Sequence, residues 1–257
     1  MEGGIIMLVT SRKNLGELKI EPVGETTDFT MVESIINYKK PIINIVDKFI
    51  DKDRELDKEH IINLIIGIIE EHIENFSGDF FENEEDETIK YKIQNGDILD
   101  VFYNNIYKEI QLPILIDIFK FIDINSRYEL FKNVYLDTII NVDLNKVLNE
   151  LKTLKTKTDI EYLNSIVDEE GNLKIYRGEG SLSQRLEDGA VYSWSLEKEV
   201  ARKFANRFSK AGIIYTGKIK VFNVSAYITE RNENEIVALL KDIKIINKEE
   251  SISNLFK

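Results

Sequence analysis

The sequence predicts an α+β protein in which a helical N-terminal part is followed by a part built from short strands and one helix. Two observations predict this class. Apolar residues recur at helical spacing from about residue 29 to residue 167. Beyond residues 168–171 the spacing changes to short runs rich in Ile, Val and Tyr, which is typical of strands. We therefore divide the chain into a mainly helical domain, residues 1–130, and a second domain, residues 131–257.

Helical spacing is clearest at residues 58–76, where one face carries Ile61, Ile65, Ile69, Ile73 and Phe76. Pro41 is expected to open an earlier helix, because its missing N–H costs nothing at the first helical position. Further helices are predicted at 98–108, 112–122, 127–133, 137–153 and 157–166. The acidic run at 82–87 and the Asn95-Gly96 pair predict an exposed loop and a turn.

Strands are predicted in the second domain at 173–177, 190–194, 213–222, 224–229, 235–240 and 242–246. One helix interrupts them at residues 196–208. Its apolar stripe consists of Val200, Phe204 and Phe208.

Composition restricts the classes of partner. The 257-residue chain has a net charge of −12, which disfavours nonspecific binding to nucleic acid or to an anionic membrane. It has no cysteine, which excludes disulfides and thiolate metal sites.

The most apolar stretch, residues 61–69, is far shorter than the ~20 residues that span a bilayer. No secretory signal is recognisable, so we expect a cytoplasmic protein and leave secretion open. His60 and His72 lack neighbours with metal-ligand spacing, so we expect them to be structural or surface residues and no metal to bind.

Three short strings in the second domain carry candidate chemistry. KIYRGEG (174–180) ends a strand at Arg177, and VYSWSLEKEVARKFANRF (191–208) places Ser193 and Ser195 on one face of a strand with Trp194 on the other. ERNENEIVALL (230–240) holds Glu233 and Glu235, which in an extended chain project from the same side ~7 Å apart. Taken singly, each string is typical of ordinary positions: an ion-pairing arginine, a helix N-cap at Ser195 and a solvated strand face.

Taken together and in this order, the strings resemble the Arg–Ser–Glu class of mono-ADP-ribosyltransferases, which includes bacterial toxins with a Glu-x-Glu motif, phage-encoded transferases and vertebrate ecto-enzymes. The resemblance covers roughly residues 137–257, and its most specific part is 174–240. Trp194 departs from the threonine usual at the middle of the family's Ser-Thr-Ser motif. The resemblance implies a small mixed or antiparallel β-sandwich of the ADP-ribosyltransferase type, NAD as co-substrate and no metal.

The resemblance and the chemistry of NAD cleavage suggest a role for each group. Breaking the bond between nicotinamide and ribose passes through an oxocarbenium-like transition state. Arg177 would grip the phosphates, and Gly178 would bring the main chain close to the nicotinamide amide. Glu235 would bind the ribose 2′-hydroxyl and stabilise the developing cation, with Ser193 holding its carboxylate. Glu233 would orient and deprotonate the acceptor.

Aromatic residues are further candidates. Tyr192, Phe204 and Tyr227 could stack on nicotinamide, although the place of Phe204 on an apolar helix face favours core packing. The loop at 225–232 is where the resembling family recognises its acceptor, and Tyr227 and Arg231 are the candidates there.

The sequence leaves several functions open. The leading one is transfer of ADP-ribose to a macromolecule, with protein arginine as the expected acceptor. Nucleic acid is an alternative acceptor, which Arg202, Lys203, Arg207 and Lys210 could contact. A toxin that only hydrolyses NAD, and a binding module that has kept the fold without activity, are the others. The helical domain could recognise the target, cover the active site, derive from a translocation adaptor, or bind a protein partner or antitoxin. The Ile-, Lys-, Asn- and Glu-rich composition suggests an AT-rich coding source such as a bacterium or its phage, and the resemblance then implies a bacterial or phage effector.

Overall fold

A computed structural model of the protein describes residue 38 and residues 58–77, 83–136, 142–181, 183–189, 192–207, 211–230 and 233–252. Within this part of the chain the fold divides into two compact units between Val142 and Asp143, the first helical and the second containing a sheet. The boundary predicted at residues 130 and 131 falls earlier, inside the helix that ends at Tyr135. The helix start predicted at Pro41 lies outside the described residues.

The helical unit contains five described helices: α1 Lys58–Ser77, α2 Asn83–Gln94, α3 Ile98–Asn105, α4 Lys108–Ile118 and α5 Ile124–Tyr135. The loop predicted at 82–87 is wrong from Asn83 onward, because α2 begins there, and Glu82 lies outside the described residues. Negative charge is favourable at a helix N-terminus, and the fully buried Ile89 anchors this helix. The turn predicted at Asn95-Gly96 is confirmed, and Gly96 adopts the positive φ of 84° that this turn requires.

Burial along α1 is wider than the predicted apolar face. Four of the five predicted residues are buried and Ile61 is half-buried, while Leu64 and Ile66 outside the predicted set are buried as well. His72 is fully buried on the same helix, where its Nδ1 lies 2.5 Å from the Tyr38 hydroxyl and its Nε2 lies 3.0 Å from Asp117. These contacts agree with a structural role for His72.

The second unit contains three described helices, α6 Asn145–Leu151, α7 Lys157–Ser165 and α8 Lys198–Asn206, and six strands. The strands are β1 Asn172–Glu179, β2 Ser193–Ser195, β3 Ala211–Lys220, β4 Ala226–Ile228, β5 Glu235–Val237 and β6 Ile243–Ile252. They pair antiparallel throughout, in the order β4-β5-β2-β1-β3-β6. The α+β class is confirmed. Among the described residues the strands form one hydrogen-bonded sheet where a sandwich was expected.

The two faces of the sheet are covered differently. One face carries a buried cluster that includes Leu173, Ile175, Trp194 and Ile236, together with Leu163 of α7. The other face is covered by α8, whose Ala201 and Ala205 pack against Ile214 and Tyr176. Trp194 belongs to the cluster on the first face, whereas Ser195 is paired with Tyr176, which packs on the face covered by α8. The opposite directions predicted for Trp194 and Ser195 are therefore confirmed.

Candidate active site

The three strings lie on three neighbouring strands. β1 carries Arg177, β2 carries Ser193 and Ser195, and β5 begins at Glu235, and these strands are consecutive in the sheet as β5-β2-β1. Ser195 stands directly opposite Glu235 on one side and Tyr176 on the other. The sheet therefore brings together segments that are far apart in the chain.

Strand alternation separates Arg177 from Glu235. Directly paired residues of an antiparallel ladder share a face, so Ser195 and Glu235 share the face covered by α8. Arg177 follows Tyr176 and leaves β1 on the opposite face, which is the face of Trp194. The candidate groups therefore lie on both sides of β2 and do not converge on one face.

The Arg177 guanidinium is held in place by its surroundings. Its Nη1 donates to the main-chain oxygen of Ser193 at 2.9 Å, and its Nη2 donates to that of Gln184 at 2.9 Å. Its Nε lies 3.8 Å from the Glu179 carboxylate. Arg177 thus connects β1 to β2 and to the loop that follows β1, with its side chain only 13% exposed.

Glu179 is a buried carboxylate that the sequence analysis did not single out. Its side chain is 1% exposed, its Oε1 accepts a 2.7 Å hydrogen bond from the Leu186 N–H, and its Oε2 lies 4.0 Å from Arg185. Glutamate is rarely buried unless it is paired, so its type alone predicts exposure. Its position two residues beyond Arg177, on the same face of a strand, was the one available signal.

Gly178 has a packing reason to be glycine. A Cβ at this position would lie 1.8 Å from the main-chain oxygen of Ala201 and 2.6 Å from the nitrogen of Ala205, both in α8. Gly212 of β3 meets the same helix in the same way. The close approach of helix and sheet accounts for Gly178 without reference to a ligand.

The Glu-x-Glu segment is not one extended strand. β5 starts at Glu235, and the preceding Asn234 has a φ of 43°, the only positive φ outside glycine among the described residues. A left-handed residue turns the chain, so the alternation that places i and i+2 on one side does not apply. The extended-strand alternation on which the expected placement of Glu233 and Glu235 rests therefore does not hold at Asn234. Both carboxylate residues are half-buried.

Ser195 is not the helix N-cap that its position suggests. The N-cap of α8 is Glu197, whose side chain makes no capping bond. Ser195 Oγ instead accepts from the Glu197 N–H at 2.9 Å and donates to the main-chain oxygen of Glu233 at 2.7 Å. Ser193, proposed to hold Glu235, is opposite Val237 and thus diagonal to Glu235, a spacing of about 7–8 Å that only a long side chain crosses.

The aromatic candidates are mostly buried. Tyr192 is 7% exposed and its hydroxyl accepts from the Leu144 N–H, so stacking on nicotinamide would require its ring to be uncovered. Burial raises the pKa of the Tyr192 hydroxyl. Phe204 is half-buried on α8, where the deeply buried side chains are Val200, Ala201 and Ala205.

Tyr227 is 4% exposed, and its ring stacks on that of Tyr162 with 5.1 Å between the ring centroids. Its hydroxyl donates to Asn234 Oδ1 at 2.8 Å. Burial raises its pKa well above the usual range. A tyrosine buried in this way does not offer its ring to a macromolecular acceptor. Arg231 lies outside the described residues.

Two general features bear on ligands. In the part of the chain that the structure describes, no group of three or more His, Cys, Asp or Glu side chains is placed to hold a metal ion. No described helix is long and apolar enough to cross a membrane.

Comparison with known proteins finds no family model, no curated protein and no solved structure that matches this chain.

Proposed function

We propose that this protein is a mono-ADP-ribosyltransferase that cleaves NAD and transfers ADP-ribose to a macromolecule, with protein arginine as the preferred acceptor. The observation that carries the proposal is the adjacency of β1, β2 and β5 in the sheet. The ADP-ribosyltransferase type of fold and NAD as co-substrate are part of the same proposal. They are supported by the order of the three motifs along the chain and by the antiparallel sheet.

The dinucleotide would cross the end of β2. The strand that carries Arg177, β1, and the strand that carries Glu235, β5, flank β2 in the sheet. The phosphates would therefore bind near β1 and the nicotinamide ribose near β5. A guanidinium binds phosphate oxygens in a bidentate manner and stays charged at any relevant pH. The bonds that Arg177 makes to Ser193 and Gln184 hold it in a fixed direction before a ligand arrives.

The bond between the nicotinamide nitrogen and ribose C1′ breaks first, and its electron pair leaves with nicotinamide. The cation that develops on the ribose is stabilised by the Glu235 carboxylate, a fixed negative charge in a partly dehydrated site. The acceptor nitrogen then bonds to C1′, and its proton passes to Glu233. No step in this sequence requires a redox change.

Substitution of Glu235 tests the reaction. The full chain is incubated with NAD labelled in its adenylate phosphate and with a bacterial lysate, and labelled macromolecules are separated from free nucleotides. We expect Glu235→Ala to lower labelling by at least about 100-fold, the effect of removing one preorganised electrostatic group. Glu250→Gln is the matched control, because Glu250 is exposed on β6, at the opposite side of the sheet from β5.

Equal labelling by wild type and Glu235→Ala would refute the proposal. Free ADP-ribose with no labelled macromolecule would identify an NAD glycohydrolase instead. Digestion of the labelled product distinguishes the acceptors, since we expect protease, not nuclease, to release the label.

Glu233 is tested separately. Glu233→Gln removes the proton acceptor and leaves Glu235 in its strand, so we expect transfer to be abolished while slow hydrolysis of NAD persists. Nicotinamide release and acceptor labelling are measured in the same reaction. Full labelling of the target by this variant would show that Glu233 does not activate the acceptor.

A further inference from the structure

The residue between the two glutamates, Asn234, is held from three directions. Its side-chain oxygen accepts from the Tyr227 hydroxyl at 2.8 Å, and its side-chain nitrogen donates to the Glu197 carboxylate. Its main-chain oxygen accepts from the Leu196 N–H at 3.0 Å. The bonds come from β4, the strand just before this segment, and from the turn between β2 and α8, which is far from it in the chain.

Asparagine is suited to this position for two physical reasons. Its φ of 43° lies in the left-handed region, which asparagine enters more readily than most residues. Its amide also offers a donor and an acceptor together, and Glu197 requires the donor while Tyr227 uses the acceptor. Aspartate lacks the donor, and glycine has neither group.

The surrounding contacts make this arrangement rigid. Tyr227 is buried and stacked on Tyr162, so its hydroxyl is a fixed donor. Ser195 adds a bond from its hydroxyl to the main-chain oxygen of Glu233.

The two glutamates depend on Asn234 to different degrees. Glu235 belongs to β5 and is paired on both sides, with Ser195 of β2 and Ile228 of β4. Glu233 precedes the strand, and its direction follows from the left-handed turn at Asn234. Loss of the Asn234 side chain should therefore disturb Glu233 much more than Glu235.

We infer that Asn234 is a positioning residue that directs Glu233 at the acceptor and thereby sets how NAD divides between transfer and hydrolysis. This inference rests on the proposed function and deepens it. It assigns the choice between transfer to an acceptor and hydrolysis by water to the hydrogen bonds of the Asn234 side chain with Tyr227 and Glu197.

The test measures nicotinamide release and acceptor labelling together for the full chain. Asn234→Gly keeps the left-handed turn accessible and removes both side-chain bonds. We expect the ratio of transfer to hydrolysis to fall at least about tenfold while NAD hydrolysis stays within about twofold of wild type, since the loss of even one hydrogen bond changes an equilibrium by roughly this factor. Asn247→Gly is the matched control, because Asn247 is exposed on the edge strand β6.

Exchanging the hydrogen-bond donor and acceptor between positions 234 and 197 provides a second test. Asn234→Asp removes the donor and places a carboxylate against Glu197, so the ratio of transfer to hydrolysis should also fall in this variant. Combining it with Glu197→Gln restores one hydrogen bond with donor and acceptor reversed, and the ratio should recover to within about threefold of wild type. A purely structural role for Asn234 would lower hydrolysis and transfer in parallel.

Four outcomes are decisive. A reduced ratio in Asn234→Gly with recovery in the double variant supports the inference. A wild-type ratio in Asn234→Gly, or a parallel fall of both activities, overturns the inference and leaves the proposed function intact. Absence of NAD turnover by the wild-type protein overturns the proposed function and this inference with it.

Discussion

Asp168 organises the turn that leads into β1. Its Oδ1 accepts from the N–H groups of Glu170 and Asn172, and its Oδ2 accepts from Lys218 of β3 at 2.8 Å. The bonds from Lys218 and from the main chain of Asn172 hold the pKa of the Asp168 carboxyl well below its usual range. The hydrogen bond between Asp168 and Lys218 also raises the pKa of the Lys218 ammonium group. A single carboxylate thus fixes the entry to the strand that carries Arg177.

The lowered pKa of Asp168 predicts a dependence of stability on pH. A carboxyl whose folded pKa is depressed stabilises the fold fully above its unfolded pKa, about 3.9, and loses this contribution progressively as pH falls from there to the folded pKa. We therefore expect Asp168→Asn to unfold at lower urea concentration than wild type at pH 7, with a reduced difference at pH 3 that vanishes only as pH approaches the folded pKa of Asp168. The effect should be modest, because Asp168 is exposed to solvent.

Urea unfolding followed by circular dichroism at both pH values gives the comparison. Glu169→Gln, which changes the exposed neighbouring residue, should leave the midpoint close to wild type at either pH. A difference that stayed constant from pH 7 to pH 3 would show that the charge of Asp168 does not contribute.

At the level of secondary structure, the packing of α8 against β1 and β3 depends on glycine and alanine. Gly178 and Gly212 leave no side chain between the strands and the helix, and Ala201 and Ala205 of α8 meet them. Val200 and Phe204 of the predicted apolar stripe therefore do not make the closest contact, and Phe208 lies outside the described residues. Small residues make that contact, because they let main chains approach to a distance that larger side chains prevent.

Gly178→Ala tests this packing. The added Cβ would meet main-chain atoms that cannot rotate away, so helix or strand must shift. We expect a loss of about 1–3 kcal/mol in the free energy of unfolding, the usual cost of overpacking. Gly67→Ala is the control, because Gly67 lies in α1 with no described atom within 4 Å of the added Cβ. It should be neutral or stabilising by about 0.5–1 kcal/mol. Chemical denaturation measures both, and unchanged stability of Gly178→Ala would contradict the close packing.

At the level of the whole molecule, the net charge bears on the proposed choice between a protein acceptor and nucleic acid. The net charge is −12, and of the basic residues that could meet phosphate, Arg202 is paired with Glu199, whereas Lys203 is exposed and Lys210 lies outside the described residues. Paired cations contribute less to phosphate binding, because each must first lose its partner. The digestion of labelled product described above tests this preference directly.

The sequence by itself determined the segmentation of the chain. Helical spacing in α1 and the change to strand-like runs after residue 171 depend on neighbours a few residues apart, so local patterns are sufficient to predict them. The predicted strands agree with the observed ones to within about three residues at each end, except that β6 extends to Ile252 where an end at 246 was predicted. The loop prediction failed from Asn83 onward because acidic residues are equally suited to a helix N-terminus.

Only the tertiary structure decided how these segments meet. The order β5-β2-β1, the opposite faces of Arg177 and Glu235, and the burial of Glu179 and Tyr227 all depend on residues far apart in the chain. The left-handed turn at Asn234 is held by Tyr227, Leu196 and Glu197, so no pattern within 230–240 alone could reveal it. Periodicity reports which side of its own element a residue occupies. Register and burial are set by the partner elements, and these determine which candidate groups can act together.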